Sequence, residues 1–179
     1  MMEQEIRLSG TGGQGLILGG IILAEAAMID GKEVTQSQSY GPEARGGASK
    51  AEVIISDEEI DFPKFQECDC LLSLSQTACD KYLHSIKADG ILIVDDAVKD
   101  INRKDIHIIR LPLLDTASKE LGKSIVANIV SITAMNAICH YVSDEALKKA
   151  IQNRVPREAL ALNVAAFDAG KKLAMKFAG

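Results

Sequence analysis

The 179-residue sequence contains no tryptophan, and aromatic residues make up only 4% of it. A core must therefore be assembled from Ile, Leu, Val and Ala, which the 47% hydrophobic content supplies. There is no excess of positive charge. The formal charge is −5 and no dense Lys/Arg run stands out, which argues against a nucleic-acid partner, since that would want a basic face. There is no long apolar run either. The longest, Leu16 to Ile29, is interrupted by Glu25 and falls short of the ~20 residues that cross a bilayer. The opening MMEQEIRLSG lacks the basic and apolar regions of a secretory signal, so a cytoplasmic location without a membrane partner is expected. Cysteine is scarce, with four residues, Cys68, Cys70, Cys79 and Cys139. None forms a C-x-x-C pair or a cluster-type spacing, and no metal site is expected. They suit the role of small buried thiols, and strand alternation would send Cys68 and Cys70 to one face. His84, His107 and His140 pair with no Ser or Cys nucleophile by motif, so no catalytic residue is assigned.

What is present is an alternation of strand and helix patterns. Strands are expected at Glu5–Ser9, Glu33–Gln38, Lys50–Ser56, Cys68–Ser75, Gly90–Val94 and Ile106–Leu111. Helices are expected from Gln14 to Ile29, ended by Gly31, and from Thr77 to Ile86. After Pro112 the chain turns helical. Ser124–Tyr141 is apolar on nearly every side, Ser143 caps a helix reaching Asn153, and Pro156 opens the last. In that last helix Leu160, Val164, Phe167 and Ala174 fall on one side. The pattern predicts a single Rossmann-like α/β domain over residues 1–179, an open, mostly parallel sheet with helices on both faces. Asn128 and Asn136 lie within about 80° of each other on their helix, satisfied internally or facing a partner. Asp95-Asp96 suits a turn or helix start better than a metal.

The segment LSGTGGQGLILGG carries Gly10, Gly12, Gly13 and Gly15 between the first strand and first helix. Strand, G-x-G-x-x-G, helix is the arrangement of a nucleotide site. Gly10 would serve the turn, Gly12 the approach of an anion, and Gly15 the packing of helix on strand. A dinucleotide also needs an acid at the end of the second strand for its ribose. Gln36, Ser37 and Gln38 stand there instead. Gln14 is bulky for such a loop and could itself bond a ligand or a neighbour. The loop therefore fits a phosphate, a carboxylate, a partner's backbone or close packing alone better than it fits NAD or FAD.

The second irregular stretch, SYGPEARGG, follows the second strand and should emerge at the same sheet edge. Pro42 stiffens it, Gly46 and Gly47 free its end, and Tyr40, Glu43 and Arg45 stand between. A guanidinium suits phosphate or carboxylate because its planar fork donates two parallel bonds. An exposed turn with a weak ion pair is the plainer alternative.

Together SGTGGQGLILGGIILAEAA and SQSYGPEARGGASKAEVIISDEEID resemble the gamma subunit of 2-oxoacid:ferredoxin oxidoreductases. Asn163, Phe167 and Gly170 in NVAAFDAG are similar to that family's closing helix. Tyr40, and Ala44 between Glu43 and Arg45, are more like the 2-oxoglutarate branch than the pyruvate branch. The resemblance covers essentially the whole chain and implies the fold of the pyruvate–ferredoxin oxidoreductase gamma subunit, or domain III. It implies a non-catalytic subunit, inactive alone, of a complex that decarboxylates a 2-oxoacid on thiamine diphosphate. That complex passes electrons through iron–sulfur clusters to ferredoxin and delivers the acyl group to coenzyme A. Thiamine and clusters would sit in partner alpha and beta subunits, with a delta subunit as a further candidate. Gly10, Gly12, Gly13, Gln14 and Gly15, with Tyr40, Glu43, Arg45, Gly46 and Gly47, would face coenzyme A or a partner subunit. A free-standing Rossmann-like nucleotide-binding regulator and a purely structural spacer are the alternatives.

Overall fold

The computed structural model describes residues 3–39 and 47–178. Among them the strands form one six-stranded sheet in the order β2-β3-β1-β4-β5-β6. The strands are β1 (Gln4–Gly10), β2 (Glu33–Gln38), β3 (Ser49–Ser56), β4 (Cys68–Ser73), β5 (Ile86–Asp95) and β6 (His107–Leu111). β1, β4, β5 and β6 pair in parallel. β3 pairs antiparallel with both β1 and β2. The stretch between β2 and β3 is too short for the helical crossover that a parallel pair requires, so the chain reverses there. β2 thereby runs in the direction of β1, and both strands end at one edge of the sheet.

Helices cover both faces, unequally. α1 (Leu16–Ile29), α4 (Ala127–Cys139), α5 (Asp144–Arg154) and α6 (Leu160–Ala178) cover one. There Ile6, Leu8, Val53, Ile55, Leu72 and Ile93 meet Ile22, Leu23, Ile129 and Phe167. The short α2 (Gln76–Tyr82) covers the other, over Leu71, Leu92 and Val94. α1 stops where Gly31 adopts φ +75° and Lys32 N–H returns to Ala27 O at 2.9 Å, a left-handed cap that glycine makes without strain. A three-residue turn, α3 (Leu113–Asp115), follows β6. It is anchored by Asp95, buried at 1% exposure, which accepts from Leu114 N at 2.8 Å and Ala97 N at 2.9 Å. Burial pushes the Asp95 carboxyl upward, and these bonds give it the turn role that its sequence position suggests.

Cys68 and Cys70 do not share a face. Cys70 packs toward α1 and α4, whereas Cys68 lies under α2. The β4–β5 register shifts between them, with five steps of β5 from Ile86 to Ile91 set against two of β4, and strict alternation breaks at such an irregularity. Asp69 takes up the break, accepting from Glu5 N and Lys87 Nζ, each at 2.8 Å.

α6 buries Asn163, Ala166, Phe167, Gly170, Leu173 and Ala174, a stripe that includes the expected Phe167 and Ala174 but only grazes Leu160 and Val164. It crosses α4 at Gly170, where a Cβ would lie 2.5 Å from Val130 O and 2.8 Å from Thr133 Cβ. Backbone cannot yield as a flexible side chain does, so Gly170→Ala should force the two helices apart. We expect a loss of about 2 kcal/mol, read as a lower urea midpoint with an unchanged slope.

Candidate functional site

β1 ends at Gly10 and α1 begins at Leu16, with no side chain capping its first turn. Gly13 and Gly15 adopt φ +87° and +73°, values that L side chains adopt only at a cost. Gly12 and Gly13 form the exposed crest, where an added Cβ would meet nothing within 4 Å. The other two glycines make room for protein. A Cβ on Gly15 would lie 2.7 Å from Asn128 Nδ2, and one on Gly10 would run into Gln14 Oε1. Gly15 thus permits contact with α4 rather than with a strand. Asn128 donates to Gly15 O at 3.1 Å and accepts from Ile129 N at 2.8 Å. Asn136 is likewise satisfied inside, both ways, by Val142.

The crest opens onto a cavity of about 650 Å³. Its floor is Gly15, Leu16 and Asn128; its walls are Ile17, Leu18, Val126, Val155, Leu162 and Asn163. Ile125, at 73% exposure, stands on the rim. The lining is mostly apolar and includes the start of α1 and the polar Asn163. Asn163 is 6% exposed and donates to Ala159 O at 2.8 Å. Such a cavity suits an elongated ligand or an inserted apolar side chain. Gln14 is not among its lining residues. It turns back into the loop, accepting from Thr11 N–H at 2.7 Å.

Tyr40, Glu43, Arg45 and Gly46 lie outside the described residues. Their flanks are placed. Ser39 N–H donates to Lys50 O at 3.0 Å, and Gly47 has φ +78°, with room for an added Cβ no closer than 3.8 Å to Thr77 Cγ2. Ser49 donates to Gly10 O at 3.4 Å and lines the cavity. The stretch that carries Arg45 therefore leaves and re-enters the fold at the edge occupied by the glycine crest.

The cysteines do not fit a cluster. Cys68 and Cys79 are buried, and burial pushes each thiol up to about 11. With Cys70 on the other face, no three of these side chains converge. Among the described residues no helix is long and apolar enough to cross a membrane.

The family model for pyruvate ferredoxin/flavodoxin oxidoreductase matches residues 5–173. The chain belongs to this family. Among its relatives, the 2-oxoglutarate synthase subunit KorC of Methanocaldococcus jannaschii is 48% identical over 177 residues, covering 97% of this chain and 95% of that one. The crystal structure of the keto/oxoacid ferredoxin oxidoreductase gamma subunit from Geobacter sulfurreducens is 50% identical. It superposes with a TM-score of 0.88 over 97% of this chain and 99% of that one. A 2-oxoglutarate:ferredoxin oxidoreductase from Magnetococcus marinus, solved with 2-oxoglutarate, coenzyme A and succinyl-CoA bound, shares the fold. Its identity is 24% and its TM-score 0.85, and the match covers 98% of this chain but 32% of that one. The fold thus occurs both in a gamma subunit of nearly this length and as about a third of a longer polypeptide.

Sequence reasoning missed the α4 and α6 sides of the cavity. In the sequence Asn163 stands out only through the resemblance of NVAAFDAG to the family's closing helix. The usable signal was a polar residue in the middle of an apolar helical stripe, which needs either a partner or a ligand.

Proposed function

We propose that this chain is the gamma-type subunit, one domain over residues 1–179, of a cytoplasmic 2-oxoacid:ferredoxin oxidoreductase acting on 2-oxoglutarate. The observation that carries the reading is a glycine crest opening onto one apolar cavity, in a chain matched along nearly its whole length by a 2-oxoglutarate synthase subunit. The chain's role is to bind and orient rather than to react. The Gly12–Gly13 crest and the α1 start would hold coenzyme A along the cavity, with Arg45 gripping its phosphates. Tyr40, Glu43, Gly46 and Gly47 would shape that second rim. Apolar walls exclude water from whatever lies between them. Thiamine diphosphate and iron–sulfur clusters belong to alpha and beta partners, with delta as a further subunit, and ferredoxin meets the complex through them. Occurrence of this fold inside a longer oxidoreductase chain supports a direct interface with such a partner.

The test is reconstitution. The purified chain alone should not turn over 2-oxoglutarate. Addition of the partner subunits should give ferredoxin reduction dependent on coenzyme A. Arg45→Ala in the assembled complex should raise KM for coenzyme A at least ~tenfold, about 1.4 kcal/mol, with 2-oxoglutarate KM unchanged. Turnover by the chain alone would refute the assignment. Weakened assembly with an unchanged coenzyme A KM would instead make Arg45 a subunit contact.

A further inference from the structure

We propose that Gln14 is the specificity residue that denies this glycine loop to nucleotide diphosphates, by filling the loop with its own carboxamide. A strand–glycine loop–helix turn ordinarily offers its amides to a diphosphate. Here two of them are engaged by the loop itself. Thr11 N–H donates to Gln14 Oε1 at 2.7 Å, and Gln14 N–H donates to Thr11 O at 3.3 Å, closing a ring across the turn. The side-chain oxygen brings its partial negative charge to an amide that a diphosphate would otherwise use, so an incoming anion must first displace it. Gly10 fits this role. A Cβ there would run into Gln14 Oε1 and lie 2.8 Å from Leu16 Cδ1. The first glycine of the pattern admits glutamine, not a ligand.

The second half of a dinucleotide site is closed in the same manner. At the end of β2, Gln36 Nε2 donates to Gln38 Oε1 at 3.3 Å, and the neighbouring carboxylate, Glu52 on β3, is engaged by Arg7, Lys50 and Ser37 rather than free for ribose hydroxyls. What remains open is the Gly12–Gly13 crest with the uncapped first turn of α1, and both face the apolar cavity. The loop is therefore a wall for an apolar arm rather than a cradle for a diphosphate. Coenzyme A bound as proposed above would lay its pantetheine arm, not its diphosphate, against it. The inference itself does not depend on the chain being an oxidoreductase subunit.

Calorimetric titration of the full chain with inorganic pyrophosphate and with NADH tests it. The unmodified protein should bind neither with saturation. Gln14→Ala frees the Thr11 amide. Gly10→Ala evicts the carboxamide without altering residue 14. Each should bind pyrophosphate at least ~tenfold more tightly than the unmodified chain. Gln14→Glu should behave like the unmodified chain, because its carboxylate takes the same amide and repels the anion. Pyrophosphate affinities of the unmodified chain within about threefold of either alanine variant, those variants being folded by circular dichroism, would overturn the proposal. Hydrogen exchange on the unmodified chain gives a check that needs no variant. The Thr11 amide should be protected relative to Gly12, and equal exchange at the two would also overturn it.

Discussion

Replacement of Glu52 by Gln is expected to lower stability by about 3–5 kcal/mol, the usual cost of leaving one member of a buried ion pair without its partner. Glu52 lies opposite Arg7 in the β1–β3 register, on the α2 face of the sheet. Arg7, at 4% exposure, donates from Nε and Nη2 to Glu52 Oε1 at 2.8 and 2.6 Å. Phe65 and Tyr82 lie over its guanidinium with ring centroids 5.1 and 5.6 Å away. Lys50 adds a second cation at 3.0 Å, and Ser85 holds the remaining arm of Arg7. Water cannot replace the lost carboxylate beneath those rings. In urea titrations at pH 7 the midpoint should fall with the slope retained. Arg7→Met in the same chain should recover part of the loss, since it removes the buried guanidinium and leaves only the partly exposed Lys50 without its carboxylate. A cost under about 1 kcal/mol would place this pair with exposed ones instead.

The same pair gives a pH dependence. Burial by itself would raise the Glu52 carboxyl, but the bonds from Lys50 and Arg7 outweigh it and hold it below its ordinary 4.5. A depressed acid stabilises the fold fully above its unfolded value. The contribution fades as pH falls through the lower, folded value. The gap between unmodified chain and Glu52→Gln should therefore be constant near neutrality and narrow below about pH 4.

Local order was readable along the chain because its signals are local. β2 has the expected bounds, Gly31 ends α1, and Ser143 caps α5 by accepting from Ala146 N at 3.1 Å. Each depends on a few neighbouring residues. The reversal of β3 leaves no mark in its own strand pattern, which is the same whichever way it pairs; only the short connection from β2 signals it. The opposite faces of Cys68 and Cys70 depend on an irregularity against β5, a strand well along the sequence. Arg7 in IRLSG looks like an ordinary exposed position of an alternating strand. It is buried by later segments, Phe65 ahead of β4 and Tyr82 at the end of α2. The cavity follows the same division. Its glycine side is a contiguous motif, while Ile125, Val155 and Asn163 come from three later segments that meet it only after α4 and α6 have packed.

Gly15→Ala should cost about 3 kcal/mol and should do so for two separable reasons. The residue sits at φ +73°, where a Cβ costs roughly 1–2 kcal/mol. That Cβ would also lie 2.7 Å from Asn128 Nδ2. Asn128 must then swing away from Gly15 O, giving up a hydrogen bond of about 1 kcal/mol. The neighbouring glycines supply the controls. Gly12→Ala meets no atom within 4 Å and carries no positive φ, so its stability change should be close to zero or slightly favourable. Gly13→Ala bears the φ +87° strain alone and should fall between them. Pairing Gly15→Ala with Asn128→Ala should relieve the collision but not the backbone strain, bringing the double variant closer to Gly13→Ala than additive single effects predict. Equal urea midpoints for the three single variants would mean that α4 does not bear on this loop. Because Asn128 is also the cavity floor, Gly15→Ala in a reconstituted complex should raise KM for coenzyme A at least ~tenfold.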